Sequence, residues 1–447
     1  MNTPLDRKPR SPSAIGPVSF ALVYAWLWLL IAQSLMAGGA SPFGFAMVTE
    51  QDFFPIMPWD PQHGWNKQFV NRTNGLESIA ECHFNMAGFV LPEDLPRCKK
   101  LGLGAIVLPT DSAFRSFDYF REWKNLPDAE IDLRVQKMVH AAGRNQAVAG
   151  FFLNDEPGVR EFAALGKAVA AVKKYAPGKL GYINLFPDYA TLGAPDRSQL
   201  GTSNYTEYLE RFVAEVKPQC LSYDNYMVQY SMDLRDRVKA AGYFRNLLEV
   251  RRVAQKHQLP CLNIVSSNQI RPGRPIPSPA NLLLQAYTTV AAGYRGVTWY
   301  TYYGRGYRHA PIGRDGQRTL TWAYLQEVNR QIATLAPVLS RLRSTGVFFS
   351  APVLADDLPA LPGGIVSAVQ CESPVMVGEF ANAAGDPYAM LVNLSLERST
   401  KVTAQFKPSA ARVEMISAAD GSRRPLDLAK EELWLNAGQG VLLTFAR

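Results

Sequence analysis

Between residues 53 and 342 short apolar runs alternate with helix-like segments, and this alternation limits the possible folds more than any other feature of the chain. Candidate strands cover 53–57, 81–90, 104–108, 148–153, 180–185, 220–223, 261–265 and 296–300. Between them, 158–175, 205–216, 240–257, 279–293 and 319–342 carry apolar residues at helical spacing, as with Leu209, Phe212, Val213 and Val216. Strands separated by helices build a parallel sheet. Eight such units over about 290 residues match a (β/α)8 barrel. A doubly wound open sheet is the competing arrangement. It calls for a Gly-rich turn after the first strand, whereas Gly102 and Gly104 precede a strand.

After about residue 345 the period changes. The stretches 347–353, 364–370, 375–380, 388–394, 401–406, 411–417 and 438–445 read as short strands joined by turns such as Ala384-Gly385-Asp386. The expected architecture is therefore an α/β (β/α)8 barrel domain over 41–344 and an all-β sandwich over 345–447. With 47% hydrophobic residues the chain can bury cores of that size.

Ahead of the barrel, residues 1–17 are polar and basic, 18–36 form an apolar run, and Ala-Gly-Gly-Ala-Ser follows. That order describes a secretory signal peptide with cleavage near Ala40, or an uncleaved anchor. Either places the body outside the cytoplasm, with Arg7, Lys8 and Arg10 remaining inside. No other stretch could span a membrane. Net charge is +8, and +6 without residues 1–40. The remaining basic residues are scattered along helical segments, which argues against a nucleic-acid footprint. Five cysteines (Cys82, Cys98, Cys220, Cys261 and Cys371) show no zinc spacing. A Cys82–Cys98 bridge is one option in an oxidising compartment.

In a barrel all eight strand ends open into one mouth. The fourth strand ends abruptly in Asn154-Asp155-Glu156-Pro157, and the others end on Trp59 and Asp60, Asp111, Asn184, Asp224 and Tyr226, Asn268, and Trp299, Tyr300 and Tyr302. Asn85 lies within the second. Carboxylates among amides and aromatics are what glycoside hydrolysis uses: one carboxyl protonates the leaving oxygen and a second attacks or activates water. Amides orient hydroxyls, and aromatic rings cover sugar faces. Asp155, Glu156 and Asp224 could instead hold a divalent cation, but the only histidines near strand ends are His63 and His83. A serine hydrolase would need a Gly-x-Ser-x-Gly elbow, which the chain lacks. No cofactor is called for, and oligomeric state is not legible.

The ending Asn154-Asp155-Glu156-Pro157 resembles the Asn-Glu-Pro of the large clan of retaining (β/α)8 glycoside hydrolases that includes families 42, 5 and 2. Residues 283–303 resemble the last helix and strand of family-42-like (β-galactosidase-like) proteins, where a Gln-Ala-Tyr helix leads to a Gly-Val-x-Trp-Tyr-x-Tyr strand. The resemblance implies a glycosidase with Glu156 as general acid/base and Trp299 under the sugar. Two positions depart from the clan. Asp155 stands where it places Asn, and the seventh strand ends Ser267-Asn268-Gln269 where it places the nucleophilic Glu. If strand alternation continues, Asn154 and Glu156 share a face and Asp155 points away. The second carboxylate is then Asp224, or Asp60 or Asp111 from the opposite wall. The alternative is a non-catalytic carbohydrate-binding or envelope protein on a degenerate barrel.

Overall fold

The apolar runs become parallel strands because they have no side that can face water. A computed structural model describes residues 53–59, 71–108, 123–230, 237–304, 306–407 and 412–446. Eight runs form one sheet: β1 (Ile56–Pro58), β2 (Met86–Val90), β3 (Gly104–Val107), β4 (Val148–Asp155), β5 (Leu180–Leu185), β6 (Leu221–Asp224), β7 (Cys261–Ser266) and β8 (Val297–Tyr300). Their order is β1-β8-β7-β6-β5-β4-β3-β2, with parallel pairing throughout. Every residue of β2, β3, β5, β6 and β7 is buried.

The helices are α1 (Leu76–Glu81), α2 (Leu95–Lys100), α3 (Asp128–Ala142), α4 (Phe162–Tyr175), α5 (Tyr205–Val216), α6 (Arg237–Lys256), α7 (Pro279–Ala291) and α8 (Leu320–Leu339). They cover the outside of the ring, where Phe151, Leu153, Leu165, Val169, Phe212, Val265 and Leu284 share one core. A separate cluster containing Met57, Phe89, Ile106, Phe152, Tyr182, Leu262 and Ile264 fills the inside. These two layers follow from strand alternation: Phe152 points inward, its neighbours outward.

Two expectations need correcting. The second strand is shorter than 81–90, because Leu76 and Ile79 bury one face of a helical turn that runs to Glu81. Asn85 therefore lies at the N-terminal end of β2, away from the mouth. There it ties β1 to β2 and so closes the ring: its N–H donates to Ile56 O (3.2 Å), its Oδ1 accepts from Ile56 N (2.8 Å) and its Nδ2 donates to Phe54 O (2.8 Å). Also, α3 adds a helix that the periodicities above do not include, buried through Ile131, Val135, Met138 and Ala142.

The C-terminal region forms two antiparallel sheets. One contains β9 (Arg343–Phe349), β11 (Val375–Ala381), β12 (Pro387–Asn393), β14 (Arg412–Ile416), β15 (Arg423–Pro425) and β17 (Gly440–Ala446). The other contains β10 (Val366–Gln370), β13 (Thr400–Phe406) and β16 (Leu433–Leu435). Val366, Val377, Leu391, Val402, Leu435 and Leu443 pack between them, as in a β-sandwich. The other face of the larger sheet lies on α7. Helix α7 is buried on nearly every side, as a helix between two layers must be. Contact is made close by glycine: a Cβ on Gly378 would sit 2.0 Å from Ala291 O, and one on Gly440 would sit 2.3 Å from the Tyr287 ring.

All five cysteines are free thiols, so the optional Cys82–Cys98 bridge is not formed. Among the described residues no helix is long and apolar enough to cross a membrane. The N-terminal signal or anchor lies outside the described residues, as do Asp60 and Asp111.

Candidate active site

The site is built on an irregularity in β4. Pairing with β5 shifts between Phe152 and Asn154: Phe152 faces Tyr182, yet Asn154 faces Ile183 and Asp155 faces Asn184. Such a bulge reverses which side chains point where. The expectation that Asn154 would share a face with Glu156 is thereby overturned. Asn154 is buried away from the mouth, with its Nδ2 donating to Glu161 Oε2 (2.8 Å) and its Oδ1 accepting from Asp155 N (2.7 Å). Asp155 instead points to the mouth, where Asn184 Nδ2 donates to its Oδ1 (3.0 Å). Glu156 follows at a φ of 49°, in the left-handed region that bulky residues rarely occupy, and its N–H donates to Asn184 O (2.9 Å). Strain of this kind persists only where the surroundings enforce it, and it concentrates at functional sites.

Asp224, at the end of β6, completes a cluster of three carboxyls. The Asn184 Nδ2 that serves Asp155 also donates to Asp224 Oδ1 (3.0 Å). The two Asp oxygens are thus no further apart than twice that distance. The Glu156 carboxyl and the Tyr226 phenol lie close enough to Asp224 to shift its titration. Burial is the first cause of a raised pKa in all three carboxyls. The charge of Asp224 raises Asp155 and Glu156 further, while the Asn184 amide and the neighbouring Glu156 and Tyr226 hold Asp224 down. Glu156 is raised furthest of the three, to about 9, which favours its protonated form at neutral pH. Among the described residues no group of His, Cys, Asp and Glu is arranged to hold a metal ion.

Aromatic rings form the adjoining wall. Tyr226 stacks on Tyr300 (centroids 5.8 Å apart, 26°), and Tyr300 meets Trp59 edge-on at 5.7 Å and Tyr307 at 5.6 Å. Trp59 Nε1 donates to Tyr182 Oη (3.1 Å), Tyr182 shares a hydrogen bond with Ser222 (2.8 Å), and Ser222 reaches Asn184 Oδ1 (3.4 Å). A polar chain thus runs from the aromatic wall to the amide that holds the carboxyls. Tyr182, Ser222 and Tyr307 escaped the sequence reading. The first two lie inside strands rather than at their ends, and Tyr307 sits in an irregular loop.

Other expected site residues lie elsewhere. Trp299 belongs to the outer layer, wholly buried, with its Nε1 donating to Asn329 Oδ1 (3.0 Å) on α8. It cannot form a floor under a sugar. Tyr302 is likewise buried outside the ring, bonded to Ser78 (2.8 Å) and Trp322 (3.0 Å). Both are displaced by strand parity: Tyr300 is the β8 residue that faces inward. Asn268 is buried at the end of β7 and donates to Tyr300 O (2.9 Å), which fastens the last two strands together. Its Oδ1 has no partner.

No family model matches this chain, and neither does any curated protein. Solved structures do match. A β-galactosidase from Bacillus circulans sp. alkalophilus superposes with a TM-score of 0.61 at 10% identity, over 90% of this chain and 100% of that one. A catalytic mutant of a family-42 β-galactosidase from G. stearothermophilus gives 0.55 at 8% identity, over 91% and 100%. A family-5 glycoside hydrolase from Bacteroides vulgatus gives 0.51 at 12%, over 90% and 93%. The fold of this chain is that of family-42 and family-5 glycoside hydrolases, a (β/α)8 barrel followed by a β-sandwich.

Proposed function

We propose that the protein is an exported glycoside hydrolase acting on an oligo- or polysaccharide, with Glu156 as general acid/base and Asp224 as the second carboxylate. The observation that carries this reading is the convergence of three carboxyls at the ends of β4 and β6: Asp155 and Asp224 share the Asn184 Nδ2 donor, and burial and their charges push Glu156 up to about 9. A carboxyl kept protonated by burial at neutral pH can give its proton to a leaving oxygen. An adjacent ionised carboxylate can stabilise or attack the cationic centre that develops. Asp155 adds a third carboxyl, whose charge raises Glu156 further. Tyr226, Tyr300, Trp59 and Tyr307 offer ring faces and phenols to a sugar, and the fold shared with glycosidases supports the reaction class. The basic and then apolar start of the chain supports export.

The rival reading, a carbohydrate-binding protein without hydrolysis, draws on the end of β7. Asn268 stands there and holds the Tyr300 backbone. A glycan panel followed by mass spectrometry separates the two. The native protein is expected to release product. Glu156→Gln is expected to slow release by roughly 10²–10⁴-fold while sugar binding persists. Undiminished hydrolysis by Glu156→Gln would remove Glu156 from the chemistry. Binding without product from the native protein would leave the rival reading standing.

A further inference from the structure

The pole of the barrel opposite the mouth holds a second site. The N-terminal ends of β6, β7 and β8, the last turn of α6, the end of α8 and the β11–β12 turn line an open cavity of about 1130 Å³. Four arginines line it: Arg251, Arg295, Arg341 and Arg343. No Asp or Glu does.

Several exposed arginines elsewhere pair with carboxylates: Arg245 with Asp357, Arg252 with Glu249, Arg318 with Glu81 and Arg330 with Glu327. Arg252 and its neighbour Arg251 make the contrast plain. Arg252 pairs with Glu249, whereas Arg251 turns into the cavity, half-buried, and finds the Ser344 hydroxyl (2.9 Å from Nη2, 3.3 Å from Nε). Arg295, also half-buried, donates from Nη1 to Leu342 O (3.3 Å). A guanidinium has five N–H donors in a planar fork, so each keeps donors to spare. Burial lowers both pKa values from the ordinary arginine range, offset in part by the Cys261 thiol and, for Arg251, the Tyr294 phenol. An anion held against these forks would use the spare donors and offset the cost of burying the charge.

We propose that this cavity binds a tetrahedral oxyanion, phosphate or sulfate, carried on a saccharide. The planar fork suits two oxygens of such a group. At about 1130 Å³ the cavity slightly exceeds the range of about 300–1,000 Å³ typical of small-molecule sites, which leaves room for a sugar beside the ion. The site is independent of the chemistry assigned to the mouth, because it lies at the other ends of the strands.

The test is calorimetry on the full chain at fixed ionic strength, with glucose 6-phosphate, inorganic phosphate and glucose as separate probes. Saturable binding of glucose 6-phosphate, weaker binding of inorganic phosphate and none of glucose is the expected pattern. Equal affinity for the two phosphates would still establish the oxyanion site and assign it to the free ion. Replacing Arg251 and Arg295 together by Gln should abolish binding. Because both are half-buried, the exposed pair Arg341→Ser and Arg343→Ser serves as a second variant, expected to weaken binding about tenfold. No heat from either phosphate beyond that from glucose, or affinity unchanged in a folded variant of either pair, would overturn the proposal.

Discussion

Glu156, Asp155 and Asp224 set a cost on ionisation that should be visible in the stability of the fold. Their carboxyls are raised above the ordinary value near 4 by burial first. The native state therefore holds protons that the unfolded chain has released, so stability is greatest below that range and falls as pH rises through it toward the raised values. This is opposite in sign to the usual salt-bridged carboxylate. Glu156→Gln and Asp224→Asn should each raise the melting temperature at pH 8, by roughly 2 °C or more, and change it little at pH 4. Circular-dichroism melts at the two pH values check this, and destabilisation at pH 8 by both variants would contradict it. Much of this cluster was legible. A polar residue ending an apolar strand marks the mouth whatever the details, which brought out Glu156, Asp155, Asn184, Asp224 and Tyr226. What sequence could not supply was parity. The bulge that turns Asn154 out and Asp155 in leaves no mark in the residue pattern. Nor does the pattern say which of Trp299, Tyr300 and Tyr302 faces inward, since all three are aromatic.

Among the elements, β1 and β2 show how a short side chain can stand in for a strand. β1 has three residues, and it reaches its neighbour through the backbone and amide of Asn85. Asn85→Ala would leave the Ile56 N–H and the Phe54 carbonyl without these partners, and each such loss costs about 1–3 kcal/mol when the group is buried. Denaturant unfolding should show a loss of about 2–4 kcal/mol, with Asn85→Asp retaining only the bond from Ile56 N. No measurable loss in Asn85→Ala would mean that solvent replaces both bonds. The sequence placed strands where apolar runs were long and isolated, as at 180–185, and helices where one face was apolar, as at 205–216. It misplaced Asn85 because Cys82, Phe84 and Met86 alternate as a strand would, although the helical face of Leu76 and Ile79 governs the segment up to Glu81.

For the molecule as a whole, α7 is the junction. Its Gln285 accepts from Ser266 N (2.8 Å) and donates to Ser266 O (2.9 Å) on the barrel side, while its other side receives the glycines of the sandwich. Gly378→Val would drive a side chain into the Ala291 carbonyl and force the two parts apart. An expected destabilisation of about 3 kcal/mol or more should appear as a lower melting temperature and as earlier proteolysis near α7. A variant as stable as the parent would show that the contact is loose. The tightness of this contact also bears on how the chain is made. Gly440 belongs to β17, the last strand of the sandwich, so one wall of α7 is missing until nearly all of the chain described here has left the ribosome. The barrel residues emerge first and must wait with an apolar helix uncovered. During synthesis this protein should therefore depend on holding factors for α7 until its C-terminal strands arrive.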